Sequence, residues 1–285
     1  DNPLNHKEDS AILGELKQAT GITSRHLTGF NPGVDDAQSR LQWASTHSYS
    51  LLGVFGLHIP VLYGESVENA IRRLLGEVIS KSGDTSILDW VGQSSAFHSC
   101  FPATITPYQT LPLPLPDITT PPSTLRIHKL FFLRSARKMH QALSNLPLAK
   151  FINFRLILPC IVHCIKAMTL TQVDTSLATH VHRIHMVGLA PIDIVLSKRL
   201  KNMAKRVAYV LICPWHPNLL HPVIDTDDVW THQWLTRLER PFSALLLMEL
   251  PHNKYWRVAL FCPITTHPTD STGVLKGEVN TLTIV

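Results

Sequence analysis

The stretch Phe154-Arg-Leu-Ile-Leu-Pro-Cys-Ile-Val-His-Cys-Ile-Lys-Ala-Met168 sets the character of the C-terminal half of the chain. It is rich in β-branched and other apolar residues, which is typical of a β-strand. Shorter runs of the same kind follow and are separated by Pro, Gly, Asn and Asp. These runs are His180–Val187, Ile192–Leu196, Val207–Cys213, Trp256–Phe261 and Val279–Val285. The spacing predicts an antiparallel β-rich domain, arranged as a sandwich or as a barrel.

Upstream of this half, residues 67–79 carry the clearest helical pattern in the sequence. Apolar side chains recur there at helical spacing, and they are Val67, Ala70, Ile71, Leu74, Leu75, Val78 and Ile79. Ser66 is a candidate N-cap and Gly83 is a candidate stop. Glu68 and Arg72 have the spacing of an i,i+4 ion pair. We therefore expect an amphipathic helix that buries one apolar face.

Two further helices are predicted nearer the N-terminus. The first spans Ser10–Ala19, where apolar residues again follow helical spacing. The second starts with a cap from Asp35 or Asp36. It carries Leu41 and Trp43.

A cluster of prolines divides the chain. Seven prolines fall between Pro102 and Pro122, a composition that excludes a helix and favours an extended spacer. The sequence therefore predicts an α+β protein with a small helical unit at residues 1–100, a proline-rich linker at residues 101–124 and a β-rich domain at residues 125–285. Residues 125–149 are basic and partly apolar, and their pattern indicates only a short helix or strand.

The composition is that of a folded chain. Of the 285 residues, 45% are hydrophobic and 16% are charged, which excludes wholesale disorder. Five cysteines at irregular spacing favour reduced thiols in the cytoplasm over a disulfide framework. The longest apolar stretch, residues 156–170, is too short and too polar to span a membrane. No leader follows Asp1, and the missing initial Met makes us expect further residues upstream.

The charge pattern does not indicate nucleic acid as a partner. The net charge of +5 comes from basic residues that are spread along the chain. The basic run Lys198–Arg206 contains no aromatic side chain and fits a solvated loop between two strands. Weak binding of nucleic acid therefore remains only a minor alternative for the function of this chain.

Two sets of side chains are candidate metal ligands. Cys160 and Cys164 share one face of a strand, and His180 and His182 share one face of another, so pairing of the strands can bring them together. The C-x₃-C spacing is not the usual zinc knuckle, so we expect buried thiols and no metal.

Three aspartates, Asp225, Asp227 and Asp228, lack the ligand pattern of a calcium loop. Asp227 is expected to cap a helix. The apolar face of that helix comprises Trp230, Trp234, Leu235 and Leu238.

Motifs of the common enzyme classes are missing from the sequence. There is no phosphate-binding loop, no dinucleotide-binding turn, no H-E-x-x-H helix and no G-x-S-x-G elbow. We therefore expect no catalytic residue and no cofactor. Because a Cys/His pair meets in space and not in sequence, a small metal- or thiol-dependent enzyme on the β-rich domain stays the second alternative.

An ordered series of motifs occupies the N-terminal half. Leu41-Gln-Trp-Ala-Ser45 is followed by Tyr49-Ser-Leu-Leu-Gly-Val-Phe-Gly-Leu-His-Ile-Pro-Val-Leu-Tyr-Gly-Glu65 and by the amphipathic helix. Ser86-Ile-Leu-Asp-Trp-Val-Gly92 comes next, and Phe97, Ser99 and Cys100 follow it. The series resembles the region C-terminal to the HET module in fungal heterokaryon-incompatibility (HET) domain proteins of the mushroom type. One difference is that this family carries a longer segment between its W-A-S and Y-S-L motifs. In this chain only Thr46, His47 and Ser48 separate Ser45 from Tyr49.

Motifs in the C-terminal half are similar to the same family. They are Arg155-Leu-Ile-Leu-Pro-Cys160, Tyr209-Val-Leu-Ile-Cys-Pro-Trp-His216, Pro241-Phe-Ser-Ala-Leu-Leu-Leu247 and Leu282-Thr-Ile-Val285. The resemblance implies a part in fungal non-self recognition, in which a complete protein triggers an incompatibility or cell-death response. It further implies a non-catalytic scaffold or regulatory region whose partner is another protein or the upstream HET module.

Eight residues of these motifs are expected to be structural by the resemblance. They are Trp43, Tyr49, Gly53, Pro60, Tyr63, Gly64, Glu65 and Trp90. We interpret Trp43, Tyr63 and Trp90 as core anchors whose polar tips are satisfied locally, and not as the lining of a ligand groove. Glu65 precedes the helix that begins after Ser66, where a carboxylate is favoured by the helix dipole.

Overall fold

The helices of the protein were located in a computed structural model. It describes residues 14–15, 37–41, 51, 55–60, 62–108, 129–174, 179–197, 208–214, 241–269 and 273–285. The α-helices in this part are α1 (Ala37–Leu41), α2 (Val67–Ser82) and α3 (Lys129–Ser144). Short 3₁₀ helices span Thr85–Leu88, Thr106–Tyr108 and Val274–Lys276. No helix in the described ranges is long and apolar enough to cross a membrane.

The predicted helix after Ser66 is confirmed. The Ser66 side chain accepts a hydrogen bond from Asn69 N (3.2 Å), and Gly83 ends the helix with a left-handed φ of +68°. The predicted apolar face is buried, whereas Val67 at the start of the helix is 66% exposed. Glu68 was expected to pair with Arg72, but its Oε1 accepts a hydrogen bond from Ala96 N (2.5 Å).

The remaining predictions for the N-terminal region are covered only in part. In the predicted Ser10–Ala19 helix, Gly14 and Glu15 are helical, and the other positions lie outside the described residues. Asp35 and Asp36 also lie outside them. The first N–H groups of α1 are capped by side chains that are remote in sequence, since Ala37 N donates to Asp84 Oδ2 (2.7 Å). Gln38 N donates likewise to the Ser86 hydroxyl (3.1 Å).

The strands of the described chain build a mostly antiparallel sheet, which confirms the predicted α+β, β-rich fold. They are β1 (Lys150–Ile152), β2 (Arg155–Asp174), β3 (Thr179–Met186), β4 (Ile192–Ser197), β5 (Tyr209–Pro214), β6 (Phe242–Leu250), β7 (Lys254–Arg257), β8 (Ile264–Thr266) and β9 (Glu278–Ile284). The run predicted at Trp256–Phe261 lies earlier than expected, as β7. Strands β1, β6 and β8 were not predicted from the sequence.

Five of these strands close into a ring. β2 pairs with β5, β5 with β6, β6 with β7, β7 with β9, and β9 pairs back with β2. All of these pairings are antiparallel except that of β7 with β9. A closed ladder leaves no free edge between its members, so this part of the fold is barrel-like.

The long strand β2 also leaves the ring. Its second half pairs with β3, and β3 pairs with β4. Apolar side chains of β3 and β4, such as Ile184 and Leu196, pack in one cluster with Leu211 of β5 and Leu246 of β6. The three-stranded extension therefore covers the outer side of β5 and β6.

One apolar core joins the helical segments to the ring of strands. It contains Leu74 and Leu75 of α2 together with Leu156 of β2 and Ile284 of β9. All five strands of the ring contribute to this cluster, so it fills the inside of the closed ladder. The predicted helical unit and the predicted β-rich domain share this core.

The start of the predicted linker belongs to the same core. Phe101, Ile105 and Tyr108 are buried, and the Tyr108 hydroxyl donates to the carbonyl of Ile87 (2.5 Å). Residues 101–108 are therefore part of the packed fold and not of a spacer. Residues 109–124 lie outside the described residues. The basic segment 125–149 contains the sixteen-residue helix α3, which the sequence pattern left unassigned.

Candidate functional site

Leu62 to Glu65, the end of the motif that starts at Pro60, form a tight turn in front of α2. Glu65 N donates to the carbonyl of Leu62 (3.2 Å), and Gly64 sits at the third position with a φ of +81°. Tyr63 at the second position has a negative φ, so the turn is of type II, which requires glycine at that place. The glycine of the Y-G-E motif therefore has a backbone role.

A buried carboxylate fixes this turn to the helix. Glu65 Oε2 pairs with the Arg73 guanidinium (2.6 Å), and its side chain is only 3% exposed. Its Oε1 accepts from Asn69 Nδ2 (2.6 Å). Arg73 also donates to the carbonyl of Pro60 (2.8 Å), so one arginine holds both ends of the motif. Glu65 lies at the helix N-terminus as predicted, and these side-chain partners are what the structure adds.

The turn displays apolar side chains to solvent. Tyr63 is 99% exposed and Leu62 is 50% exposed, and Val67 follows on the first turn of the helix. The interpretation of Tyr63 as a core anchor is therefore wrong. The tight turn places residue 63 at its tip, where the described residues leave the ring uncovered.

Trp90, in contrast, is the core anchor that the sequence predicted. Its ring is buried and its Nε1 donates to the carbonyl of Cys100 (2.9 Å). Arg257 of β7 stacks over the ring at 3.9 Å and donates to the carbonyls of Leu88 (2.8 Å) and Trp90 (2.7 Å). This arginine ties the segment after α2 to the ring of strands.

The segment after Trp90 also holds the last strand. His98 Nδ1 accepts from Cys100 N (3.2 Å), so its Nε2 carries the proton and donates to the carbonyl of Ile284 (3.1 Å). The Ser99 hydroxyl donates to the carbonyl of Val285 and accepts from Arg257 N (3.0 Å). Burial lowers the pKa of His98 to about 4. The histidine is therefore neutral at pH 7 and structural.

The candidate cysteine and histidine metal ligands are not brought together. Cys160 pairs across the ladder with Pro214 and Asn280, near the start of β2. His180 and His182 lie opposite the far end of β2, and their ring centroids are 6.4 Å apart. Cys160 is buried, whereas Cys164 is exposed. In the part of the chain that the structure describes, no three His, Cys, Asp or Glu side chains are grouped to hold a metal ion.

The cysteines are free thiols: Cys100 and Cys160 are buried, Cys213 is partly buried, and Cys164 and Cys262 are exposed. Burial raises the pKa of Cys100 and of Cys213 to about 12, and it also raises the pKa of Cys160. A nucleophilic cysteine acts as the thiolate. These three thiols are protonated at neutral pH and do not support thiol chemistry.

Several predicted residues lie outside the described residues. They are Trp43, Tyr49 and Gly53 of the motif series, Asp225, Asp227 and Asp228 with the helix predicted after them, and the basic run Lys198–Arg206.

Sequence reasoning missed two arginines with central positions. Arg257 ends an exposed-looking run, Lys254-Tyr-Trp-Arg257, and only its burial reveals the contacts that it makes. Arg73 has no role in the pattern that predicted α2, yet it binds Glu65 and Pro60. No local spacing signalled its contact with Glu65, because Glu65 lies before α2 and eight residues exceed the i,i+3 and i,i+4 spacings at which helix side chains meet.

The chain was compared with protein-family models, with curated proteins and with solved structures, and none matches. The resemblance to HET-type proteins therefore depends on the motif series alone.

Proposed function

We propose that the chain is a non-catalytic scaffold or regulatory region of a HET-type non-self recognition protein and that it acts by contact with a protein partner. The observation that carries this proposal is the Leu62–Glu65 turn. Its geometry is fixed by a buried ion pair, yet the residue at its tip, Tyr63, contributes nothing to the core.

Physical reasons support a contact role for this turn. An exposed tyrosine offers a large apolar surface and a hydroxyl, and tyrosine is enriched among residues that dominate binding energy at interfaces. A turn that is already ordered loses little conformational entropy when a partner binds. Arg73 and Glu65 provide that order from the helix side, so Tyr63 and Leu62 are presented in a defined arrangement.

The proposed partner is a HET module of the kind that the resemblance places upstream of these motifs. The proposed location is the cytoplasm, where the free cysteines would stay reduced. A role in heterokaryon incompatibility and programmed cell death follows from the resemblance and belongs to the same proposal. The protonated state of Cys100, Cys160 and Cys213 gives the thiol-enzyme alternative no support.

Co-expression of the whole 285-residue chain with a HET module of the family tests the proposal. The whole chain is needed because α2 and the strands share one core. Tyr63→Ser should weaken association at least tenfold, since it removes the ring at the tip of the turn. Phe261→Ser is the matched control, because Phe261 is also an exposed aromatic residue (71%) outside the motif series.

A second variant, Glu65→Gln, keeps Tyr63 but removes the charge that holds Arg73. It should also weaken association, with the fold preserved by circular dichroism. Absence of any association with the native chain would overturn the proposal. Equal losses in Tyr63→Ser and Phe261→Ser would overturn it too, because the contact would then not depend on the turn.

A further inference from the structure

A pocket of about 300 Å³ lies beside α2, on the side of the helix that faces β1. Its lining consists of Ile59, Arg72, Arg73, Gly76, Glu77 and Phe151. The volume is at the lower end of the range for ligand pockets, so the space suits a small molecule or a single side chain.

One wall of the pocket is rigid and apolar. A Cβ atom at position 76 would lie 2.6 Å from Phe151 Cδ1, so only glycine allows the ring to pack this close to the helix. Ser80 Oγ accepts from Phe151 N (3.0 Å) and donates to the carbonyl of Gly76 (2.7 Å). The Phe151 ring also packs edge to face against Phe101, with centroids 5.2 Å apart. These contacts fix the ring at the edge of the pocket.

Arg72 supplies the polar part of the lining. The residue is 8% exposed, and its Nε donates to Asn69 Oδ1 (2.9 Å). Its guanidinium carbon lies 4.7 Å from the centre of the Phe154 ring. Phe154 takes a φ of +59°, an unfavourable value for a bulky residue, in the turn that places its ring there. Among the described residues Arg72 hydrogen-bonds through Nε, and its two terminal amino groups carry further N–H donors on the planar guanidinium.

The charges around the pocket determine which anion fits. The Arg73 charge is already matched by Glu65, and its second amino group is bound to the Pro60 carbonyl. Burial lowers the pKa of Arg72, and the nearby charge of Glu65 partly opposes this effect. The Arg72 guanidinium still stays charged at neutral pH. Among the described residues Arg73 of the lining has a carboxylate in hydrogen-bond contact and Arg72 has none, while Glu77 adds a negative charge. This balance favours a single negative charge on the ligand over two.

From these observations we propose that the pocket binds a small organic monocarboxylate with an apolar body. The planar guanidinium of Arg72 matches a carboxylate through two parallel hydrogen bonds. Ile59 and Phe151 would receive the apolar part of the same molecule. The site differs from the exposed face of Tyr63, so the proposal does not rest on the proposed protein contact.

Titration of the whole chain with three small probes tests this site, with calorimetry or ligand-observed NMR as the readout. Phenylacetate combines a carboxylate with an apolar ring and is expected to bind saturably. 2-Phenylethanol lacks the charge and inorganic phosphate lacks the ring, and each is expected to bind at least tenfold more weakly. Arg72→Gln should reduce phenylacetate binding at least tenfold, because it removes the charge and the paired donors.

Two further variants separate loss of the site from loss of the fold. Ile59→Trp fills the pocket without a change of charge and should abolish phenylacetate binding while the circular dichroism spectrum is retained. Arg137→Gln removes an equal charge from an exposed position on α3 and should leave binding unchanged. The proposal is overturned if phenylacetate does not saturate, if phosphate binds as tightly, or if Arg72→Gln and Arg137→Gln have the same effect.

Discussion

Replacement of Leu74 by alanine tests whether the helical segments and the strands form one unit. Leu74 is 2% exposed on the inner face of α2, and it belongs to the cluster that includes Leu156 and Ile284. Its removal should therefore weaken the ring of strands as well as the helix. The matched control is Val67→Ala on the same helix, where the side chain is 66% exposed.

The magnitude follows from the burial of the side chain. Leu→Ala removes apolar groups worth about 0.8 kcal/mol for each buried methylene, or roughly 2.4 kcal/mol for three carbon atoms. The cavity that remains adds to this loss, so the expected destabilisation is about 2–5 kcal/mol. The control should change the free energy of unfolding by less than about 0.5 kcal/mol, as surface substitutions commonly do.

Urea unfolding followed by two probes measures the effect. Far-ultraviolet circular dichroism reports helices and strands together, while tryptophan fluorescence reports the surroundings of residues such as Trp90. Both transitions should shift together to lower urea in Leu74→Ala, because the two regions share their core. The reasoning would be refuted if the helical signal shifted alone, or if Leu74→Ala and Val67→Ala had equal midpoints.

Two other predictions concern buried polar groups. Arg257→Met leaves the carbonyls of Leu88 and Trp90 without their donor, at about 1–3 kcal/mol for each buried group, so urea unfolding should show a loss of about 2–6 kcal/mol. Arg257→Lys should recover only part of it. The second concerns pH. Burial lowers the pKa of His98 and of His163 to about 4, below the value of 6.5 for a free histidine, so the unfolded chain takes up protons first as the pH falls. Stability should therefore be fully present above pH 6.5 and decline towards pH 4, by about 1.4 kcal/mol per pH unit for each histidine. Urea unfolding of the native chain and of His163→Phe at pH 7 and pH 5 measures how the free energy of unfolding changes with pH. This change should be smaller in His163→Phe. An equal change in both proteins would contradict the lowered pKa of His163 as a cause.

Local patterns predicted the elements whose formation depends on neighbours in sequence. Ser66, the apolar repeat after it and Gly83 specify α2, because caps and periodicity act within one or two helical turns. Most of the strands followed from their β-branched runs. Helix α3 was missed because its first apolar residues, Leu130 to Leu133, form an unbroken run that fits a strand as well as a helix.

The candidate site could be predicted only in part for a related reason. The Y-G-E motif indicated Gly64 and Glu65, but a motif does not state which side chains face solvent, and Tyr63 was assigned to the core. The lining of the pocket combines Ile59, residues of α2 and Phe151, which lies more than seventy positions further along the chain. No periodicity signals a contact over such a separation.

The sequence by itself thus determined the class of the fold, the position of α2 and most of the strands, since these depend on short-range spacing and on side-chain shape. The tertiary structure alone decided which strands are neighbours, because β2 takes its partners from β5 and β9, far along the chain. It also decided that Arg257 is buried over Trp90 and that Tyr63 is exposed. Burial of a side chain depends on every segment that packs around it, and that information exists only once the ring of strands has closed on the helix.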